Sequence, residues 1–484
     1  MPIAERFSGR RPPAASPAFR VSGLPLRVCP NGCTRRPRRM SPSLHGVPAG
    51  SENRMWVEDF LEDLKPDTVT LGLDRIRVLS ERLGIESRRN NVIVAGTNGK
   101  GSVCAFLASI LRHAEISCGL FTSPHLVDVR ERIVVNGAPV SPEDLTLLMK
   151  RVARAMEGMA QPPTYFEVLT AAALLHFQER GTQINILEVG LGGRYDAVNL
   201  YPAALNIITP VSLDHTQVLG KTLETIAHEK AGILKDAAPV LVARQRGAAL
   251  EVIRRAAAES GAEFLYLPGA VSCRLRGMDP EGMRFSLRTG PHRDEFRTTL
   301  LGRHQMGNAA LAVQAARRLS ASFSFPLTQE ALALGIARAR WPGRLQTVRA
   351  HGATLLLDAA HNVHGARALA RALSDLGLKD VSLYFCAMRD KRPMGLLKAL
   401  APRAGEIHLL SIPKERSMQP GDWAALRKKI SHPKVVIHET LNDGFTHALN
   451  RGGLPVLTGS IYFLGEFIQW SNQLPSQATT PATK

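Results

Sequence analysis

A glycine-rich turn between an apolar run and a helical pattern constrains this chain most. The stretch reads Val92-Ile-Val-Ala-Gly-Thr-Asn-Gly-Lys-Gly-Ser102. Its β-branched start predicts a buried parallel strand, and apolar residues recur at helical spacing after the turn: Val103, Phe106, Leu107, Ile110 and Leu111. A strand, a glycine loop and a helix together form the architecture of a phosphate-binding loop.

The residue types in the turn suit a nucleotide. Glycines let backbone N–H groups converge on one anion, and the start of a helix adds positive potential. Lys100 can reach the outer phosphates, and Ser102 can offer its hydroxyl to Mg²⁺. The spacing is a variant, because two positions rather than four separate Gly96 from Gly99-Lys100, and Gly101 precedes Ser102. An ordinary strand–turn–helix connection is the alternative.

Composition narrows the class of protein. The chain has 484 residues, of which 44% are hydrophobic and 21% charged, as in a globular protein. No apolar run approaches the ~20 residues that cross a bilayer, so we expect no membrane association. The formal net charge is +19, but no basic helix with interleaved aromatics accompanies it, so we expect no nucleic-acid binding. Scattered cysteines indicate a reducing compartment, and the cytoplasm is the expected location.

Residues 1–54 differ from the rest of the chain. They hold ten arginines and two glutamates and are rich in proline and serine. This composition predicts a disordered segment. An organelle transit peptide, or a segment that is never made because translation starts at Met40 or Met55, are the alternatives.

The remaining pattern predicts an α/β protein with two folded domains. Residues 55–340 are predicted to form a P-loop ATPase domain with a mostly parallel sheet, in which residues 270–300 alternate like antiparallel strands. After a break at Arg340-Trp-Pro-Gly-Arg344, residues 341–470 are predicted to form a smaller, Rossmann-like α/β domain. A polar tail, 471–484, follows.

Polar side chains follow two buried strands of the first domain. Glu188 ends an apolar run, and a carboxylate at such a strand end, beside a phosphate loop, is where an α/β ATPase holds Mg²⁺. His215 follows the next apolar strand and can ligate a second divalent ion or orient the Glu188 site. A solvated strand-end acid and a hydrogen-bonded loop histidine are the respective alternatives.

Three more candidates surround the start of the second domain. Arg344, at the break, can clamp phosphates from the opposite side. Asp358 ends the first predicted strand of that domain and can bind ribose or base. His361 follows and can bind a carboxylate or phosphate. The alternatives are a solvated linker position for Arg344 and core or helix-capping roles for Asp358 and His361.

Taken together and in order, the motifs resemble a known family. They are Gly96 to Ser102, Thr122-Ser-Pro-His-Leu126, Glu131-Arg-Ile133, Phe166-Glu167, Leu187 to Asp196, Leu213-Asp-His215, Glu229-Lys-Ala-Gly-Ile233, His304-Gln305 with Asn308, Pro342-Gly-Arg344, Asp358 to Asn362 and Thr458 to Tyr462. From about Met55 to Trp470 the chain resembles the bifunctional folylpolyglutamate synthase/dihydrofolate synthase family of the Mur ligase superfamily.

The resemblance implies roles for individual residues. ATP would be bound by Gly96, Thr97, Asn98, Gly99, Lys100, Gly101, Ser102, Asn308, Arg344 and Asp358. One Mg²⁺ would be held by Ser102 and Glu188, and His215 would belong to a second metal site. Lys230 matches a lysine that is carbamylated in several members, and Ser123, Pro124 and His125 match the pterin-side loop. Lys100, Lys230 and His361 are the implied catalytic residues.

The implied reaction is ATP-dependent addition of L-glutamate to dihydropteroate, a reduced folate, or both, through an acyl phosphate. The protein would act as a monomer on small-molecule substrates. Cell-wall amino-acid ligases of the same superfamily carry a nucleotide-sugar domain before the phosphate loop, for which the roughly 40 residues from Met55 to Gly96 are too few. The other class of function is a nucleotide-regulated binding module, which would bind ATP without glutamate-dependent turnover.

Overall fold

The computed structural model describes residues 51–65 and 70–474. The first helix begins at Ser51, four residues before the expected start of the folded part at Met55. Most of the segment predicted to be disordered, as well as residues 475–484 of the expected tail, lies outside the described residues.

The described part of the chain alternates helices with strands. The helices are α1 (Ser51–Asp63), α2 (Asp74–Leu83), α3 (Lys100–His113), α4 (Pro142–Met156), α5 (Tyr165–Glu179), α6 (Thr216–Leu219), α7 (Leu223–Ala231), α8 (Gly247–Glu259), α9 (Leu267–Ala270), α10 (Arg303–Phe323), α11 (Gln329–Arg338), α12 (Val363–Asp375), α13 (Pro393–Leu400), α14 (Pro420–Arg427), α15 (Leu441–Asn450) and α16 (Ile461–Gln473). The strands are β1 (Asn91–Ala95), β2 (Cys118–Phe121), β3 (Ile133–Val135), β4 (Ala138–Pro139), β5 (Ile184–Glu188), β6 (Ala203–Ile208), β7 (Val240–Val242), β8 (Phe264–Tyr266), β9 (Val271–Asp279), β10 (Gly282–Thr289), β11 (His292–Thr298), β12 (Gln346–Ala350), β13 (Ala353–Asp358), β14 (Val381–Phe385), β15 (Ala404–Leu409), β16 (Val435–Ile437) and β17 (Val456–Thr458).

The first sheet has eight strands in the order β4-β3-β2-β5-β1-β6-β7-β8. Six neighbouring strands, β2, β5, β1, β6, β7 and β8, are parallel. Strands β3 and β4 extend one edge of the sheet and pair antiparallel. The strand before the phosphate loop, β1, lies at the middle, between β5 and β6. Both neighbours therefore end beside the glycine loop, which is the arrangement that places ligands at the carboxyl edge of an open sheet.

Residues 271–298 form a separate antiparallel sheet in the order β11-β10-β9. This confirms the alternation read in residues 270–300. Apolar side chains such as Met283, Phe285 and Leu287 on alternate positions of β10 are buried in the core, so the hairpins pack one face against the domain and leave the other face to solvent.

The third sheet has six strands in the order β12-β13-β17-β14-β15-β16. All neighbours are parallel except β12 and β13, which pair antiparallel with Gln346 opposite Leu357. The sequence did not predict β12, because most of its residues are only half-buried and show no apolar alternation. The expected second α/β unit with a largely parallel sheet is confirmed, and so is the α/β class of the protein.

One apolar cluster links the first and third sheets. It contains Val94 and Ile207 from the first sheet and Leu356 and Phe385 from the third. Helix α3 is buried over most of its surface, because α10 and α11 pack against it. The phosphate loop is therefore anchored at both ends in a closely packed core. Within the described ranges, no helix combines the length and apolar character that a membrane span requires.

Candidate active site

The glycines of the phosphate loop are required by its conformation and by close neighbours. Gly96 and Gly99 have φ values of +138° and +95°, which favour glycine. A Cβ on Gly99 would lie 2.6 Å from Asn308 Oδ1, and a Cβ on Gly101 would lie 2.5 Å from the Trp341 ring. The loop therefore packs directly against α10 and the segment that enters the second domain.

Hydrogen bonds tie the loop to the strand end after β6. The backbone N–H groups of Thr97 and Asn98 donate to the carbonyl of Pro210. Thr97 Oγ1 donates to the carbonyl of Ser212 at 3.1 Å and accepts from its N–H at 3.0 Å. Asn98 Nδ2 donates to Ser212 Oγ at 3.0 Å. The side chains of Thr97 and Asn98 therefore shape the loop, and the N–H groups of these two residues are already bonded within the protein.

Lys100 and Glu188 face each other beneath the loop. Lys100 Nζ lies 3.8 Å from Glu188 Oε1, and both side chains are largely buried. Glu188 Oε2 accepts the N–H of Ser123 at 3.2 Å. Burial raises the pKa of Glu188, whereas the Lys100 charge and the Ser123 N–H act against this rise. The carboxylate thus connects the phosphate loop to the loop after β2, which the sequence assigned to folate.

A chain of side chains joins Ser102 to α10. Gln305 Nε2 donates to Ser102 Oγ at 3.3 Å, and Gln305 Oε1 accepts from Asn308 Nδ2 at 2.9 Å. All three residues are buried. A residue of α10 therefore fixes the position of Ser102 Oγ in the first turn of α3.

Asp358 positions the turn that carries Arg344. Its carboxylate accepts the N–H groups of Leu345 at 2.9 Å and Ala360 at 3.0 Å. Leu345 has a positive φ of 45°, so this acid holds an unfavourable backbone conformation in place. Burial raises the pKa of Asp358, and the Arg344 charge opposes the rise. With both oxygens engaged by backbone, Asp358 organises the interdomain turn in this structure.

Asp214, in the loop after β6 of the first sheet, contacts residues in loops of the third sheet. Its Oδ1 accepts from Lys391 Nζ at 2.5 Å, and its Oδ2 accepts from Asn362 Nδ2 at 3.1 Å and lies 3.4 Å from His361 Nε2. Lys391 Nζ also lies 3.1 Å from His215 Nε2. Burial acts to raise the pKa of Asp214, but the hydrogen bond from His361 and the nearby positive charges hold it well below its usual range.

Two further contacts bring the second domain onto the phosphate loop. Asn362 Nδ2 donates to Asn98 Oδ1 at 3.0 Å, and Asn98 Nδ2 lies 3.2 Å from His364 Nδ1. Asn362 also caps α12, because its side chain accepts the N–H of Gly365. The start of α12 is therefore fixed against the loop.

Lys230 is buried on α7, with 5% of its surface exposed. Burial lowers its pKa to about 7, and the charge of Lys100 acts in the same direction. A substantial fraction of the amine is neutral at pH 7, which is the form that reacts with CO₂.

A cavity of about 1500 Å³ opens between the domains. The predicted site residues that line it are Ser123, Pro124, His125, His215, Arg344 and His361, and Lys391 joins them. Three N–H groups of the loop after β2 donate to the carboxylate of Glu131, from Leu126, Val127 and Asp128. This carboxylate fixes the loop that forms one wall.

Arg132 gives that wall its positive charge, and His125 accepts a hydrogen bond from it. Arg132 Nε donates to His125 Nδ1 at 2.9 Å, and its guanidinium lies over the Tyr165 ring at 5.2 Å. Burial and the Arg132 charge lower the pKa of His125 to about 4, so this histidine is a neutral acceptor and Arg132 supplies the positive charge.

The glycine-rich turn after β5 serves packing. A Cβ on Gly190 would lie 2.8 Å from the Phe166 ring, and one on Gly193 would lie 2.8 Å from the Glu229 carbonyl. Asp196 accepts the N–H groups of Gly190 and Leu191, and its burial raises its pKa to about 6. The turn is thus shaped around its neighbours.

Comparison with known proteins now decides the family. The Mur ligase middle domain matches residues 94–316, and the Mur ligase glutamate ligase domain matches residues 343–460. The dihydrofolate synthase/folylpolyglutamate synthase of Bacillus subtilis (strain 168) is 35% identical over 434 residues, covering 86% of this chain and 98% of that protein. This chain belongs to the folylpolyglutamate synthase/dihydrofolate synthase family of Mur ligases. The chain is therefore an ATP-dependent acid–amino-acid ligase of folate metabolism.

Other relatives agree with this assignment of the Mur ligase. The folylpolyglutamate synthase of Lacticaseibacillus casei is 29% identical over 399 residues, covering 80% of this chain and 91% of that one. A Mycobacterium tuberculosis folylpolyglutamate synthase complexed with ADP and AMPPCP superposes with a TM-score of 0.79 at 29% identity, covering 87% of this chain and 99% of that chain. An FPGS–AMPPCP–folate complex superposes with a TM-score of 0.73 at 26% identity, covering 86% and 99%.

Sequence reasoning missed part of this Mur ligase's site. Asp214 and Asn362 lay inside recognised motifs without a role, although they join the two domains. Lys391 was not singled out, although it lies in the loop that follows β14. The charged run Arg389-Asp-Lys-Arg392 after a buried strand was the signal that could have found it. Gln305, which carries the Ser102–Asn308 link, also had no role.

Proposed function

We propose that this ligase uses the interdomain cavity to join two half-reactions. A carboxylate of a pteroyl substrate attacks the γ-phosphate of ATP, giving an acyl phosphate and ADP. The amine of L-glutamate then attacks the acyl carbon, and phosphate leaves. The observation that carries the proposal is the convergence on Asp214 of His361, Asn362 and Lys391 from one domain beside the phosphate loop of the other.

The first half-reaction falls to the cations around the loop. Lys100, backbone N–H groups of the loop and Arg344 are proposed to face the phosphates, and Asn308 and Asp358 to complete the nucleotide site. Attack of one anion on another is slow unless charge is neutralised, so fixed cations are the main source of rate enhancement. Asp358 acts through the turn that it holds, in addition to any contact with the nucleoside.

The donor set beside the loop fits Mg²⁺. Glu188 offers a buried carboxylate, and Ser102 offers a hydroxyl whose position is fixed by Gln305; hard oxygen ligands of this kind suit that ion. Mg²⁺ bound there would neutralise phosphate charge. A second site is proposed at His215, with Lys230 converted to a carbamate whose anionic oxygens add ligands. The lowered pKa of Lys230 supports this modification, because only a neutral amine forms a carbamate.

His361 is proposed to serve the second half-reaction. Its Nδ1 lies 2.9 Å from the Ala359 carbonyl and its Nε2 lies 3.4 Å from Asp214 Oδ2. Two oxygen acceptors hold the ring in one orientation at the cavity wall. From there it can contact the acyl phosphate or a glutamate carboxylate. Ser123, Pro124 and His125, with Arg132 behind them, are proposed to bind the pterin side.

The acceptor is proposed to be dihydropteroate, a reduced folate, or both. Assays with dihydropteroate and with tetrahydrofolate, each with ATP and L-glutamate, separate these outcomes when the product masses are measured. A gain of one glutamate residue on dihydropteroate identifies the synthase reaction, and repeated gains on the folate identify polyglutamylation. A rate of ADP release that does not depend on glutamate or on either pterin would contradict the proposal and favour a nucleotide-regulated switch.

The proposal also assigns a role to each part of the chain, an oligomeric state and a cellular location. Residues 55–340 would grip ATP, residues 341–470 would present glutamate, and residues 1–54 and 471–484 would add nothing to catalysis. We propose a monomer that acts in the cytoplasm on small-molecule substrates. The molecular mass of the purified protein in solution tests whether it is a monomer.

A further inference from the structure

Three histidines converge at one edge of the third sheet, outside the active site. His408 lies on β15, His438 directly follows β16, and His447 lies on α15. One ring nitrogen of each lies within 4.8 Å of the other two. His408 is buried, His438 is half-buried and His447 is exposed, so the cluster opens to solvent on one side.

The closest pair of nitrogens lies within a few tenths of an ångström of the spacing of metal ligands. His408 Nδ1 lies 3.0 Å from His438 Nε2. Two imidazole nitrogens that each lie about 2.0–2.1 Å from one tetrahedral ion are about 3.3 Å apart. A small outward movement of the half-exposed His438 ring would bring the pair to that separation.

Neighbouring groups fix the orientation of two of the rings. Tyr384 Oη lies 2.7 Å from His447 Nδ1, so Nε2 of His447 would be its ligating nitrogen. On His408 the second nitrogen, Nε2, is buried without a hydrogen-bond partner among the described residues, and the carboxylate oxygen Glu406 Oε1 lies 3.4 Å from it. Glu406 is itself held by Ser382 Oγ and Arg451 Nε, both at 2.7 Å. A carboxylate or hydroxyl behind the outer nitrogen of a histidine is the usual support of a metal ligand.

We propose that His408, His438 and His447 bind one divalent transition-metal ion of the zinc type. Imidazole nitrogens suit zinc, copper or nickel, whereas magnesium prefers oxygen ligands. The cluster belongs to β15, the end of β16 and α15, so it shares no residue with the sites proposed at Ser102, Glu188 and His215. Water would complete the coordination on the exposed side. The ion would tie β15, the end of β16 and α15 together, and it has no part in the proposed ligase reaction.

The alternative is a cluster of rings held by packing and hydrogen bonds. Tyr384 and His408 are stacked with centroids 4.5 Å apart and planes 9° from parallel, and one proton between His408 and His438 would also give a separation of 3.0 Å. The two accounts differ in what they predict for added metal, because a packed cluster gains nothing from an ion.

The test uses the full chain, freed of metal with a chelator and kept in excess Mg²⁺ to occupy oxygen-rich sites. Co²⁺ is titrated while its visible d–d absorption is followed, and Zn²⁺ is then added as competitor. The variants are His438→Ala, at a half-buried position, and His447→Ala, at an exposed one. His292→Ala, on the exposed strand β11, is the matched control.

The proposal expects one equivalent of Co²⁺ with nitrogen ligands and no thiolate charge-transfer band, displaced by Zn²⁺. Both cluster variants should lose this absorption, whereas His292→Ala keeps it. Tyr384→Phe, which removes only the supporting hydroxyl, should weaken binding about 10–100-fold. Zinc should raise the melting temperature of the wild type and of His292→Ala but not that of His438→Ala or His447→Ala. The ligase turnover of every variant should stay the same.

Two results would overturn the proposal. Absence of bound Co²⁺ in the wild type would leave only the packed cluster. Equal Co²⁺ binding in the wild type and both cluster variants would place the ion elsewhere in the chain.

Discussion

Lys391 Nζ lies 2.5 Å from Asp214 Oδ1, and this ion pair joins the two domains of the ligase. Both side chains are more than nine-tenths buried. The Lys391 amine also lies 3.1 Å from His215 Nε2, so one cation from the second domain contacts two residues that follow β6 of the first. The closed arrangement of the site is therefore held partly by the groups that form it.

Replacing Lys391 tests this link. Lys391→Met leaves the Asp214 carboxylate buried beside fewer cations, and breaking a buried pair from one side typically costs about 3–5 kcal/mol. We expect a loss of that order in the free energy of unfolding, measured by urea denaturation. Lys398→Met, on the exposed face of α13, is the control and should change stability little. Equal stabilities of the two variants would show that the pair contributes nothing.

Asp214 should make the stability depend on pH in one direction. Its pKa in the folded protein is well below the usual value of about 3.9, so its contribution is complete above about pH 5. The contribution begins to fall as the pH drops below about 4 and is lost progressively toward the lower pKa of the folded state. The difference in unfolding free energy between wild type and Asp214→Asn should therefore be largest near neutrality and narrow toward pH 3. Asp59→Asn, at an exposed position of α1, should give a small difference at every pH. A gap for Asp214→Asn that widens in acid would contradict the assignment.

Gly99 should tolerate no side chain. With φ at +95° and Asn308 Oδ1 2.6 Å from the new Cβ, Gly99→Ala should cost about 1–3 kcal/mol of stability. It should also raise the KM for ATP, because Asn308 must move. Gly247→Ala, whose Cβ has no neighbour within 4 Å, is the control for both measurements. Indistinguishable melting temperatures and KM values would refute the geometry given for the loop.

Lys230 tests the proposed carbamate. Lys230→Ala should lose glutamate-dependent turnover, and a short carboxylic acid such as acetate should restore part of it by replacing the anionic oxygens. Lys221→Ala, at an exposed position, should keep its activity and ignore acetate. Failure of every short acid to rescue Lys230→Ala, together with a plain ammonium in a crystal structure with ATP and Mg²⁺, would exclude the carbamate.

Much of the fold follows from local patterns in the sequence. Helices α4 and α5 begin where Ser141 and Thr164 cap them, within one residue of the limits that apolar periodicity predicts. Buried strands such as β1 and β5 were evident from short runs in which most residues are apolar. The edge strand β12 was not, because its pairing with β13 depends on a long-range contact that leaves no local apolar pattern.

The sequence predicted those site residues whose polar side chains lie at or just after the end of a buried strand. Glu188, His215 and His361 lie at such ends, and the structure places them around one cavity or beside its phosphate loop. Their chemical roles stay predictions. Asp214 and Lys391 were missed because each is informative only through its partner, 177 residues away in the chain. A single sequence contains no signal that pairs them.

The central claim is that ATP consumption serves glutamate addition, and ADP release tests it most directly. It is measured with and without L-glutamate, in the presence of dihydropteroate or tetrahydrofolate, for wild type, Lys100→Ala and His361→Ala. The wild type should release ADP at a rate that depends on both glutamate and the pterin. Lys100→Ala should lose about 10²–10³ in rate, because it removes a cation that faces the phosphates, and His361→Ala should keep ATP binding but lose glutamate-dependent turnover. Wild-type ADP release that is unchanged by glutamate and by both pterins would contradict the claim.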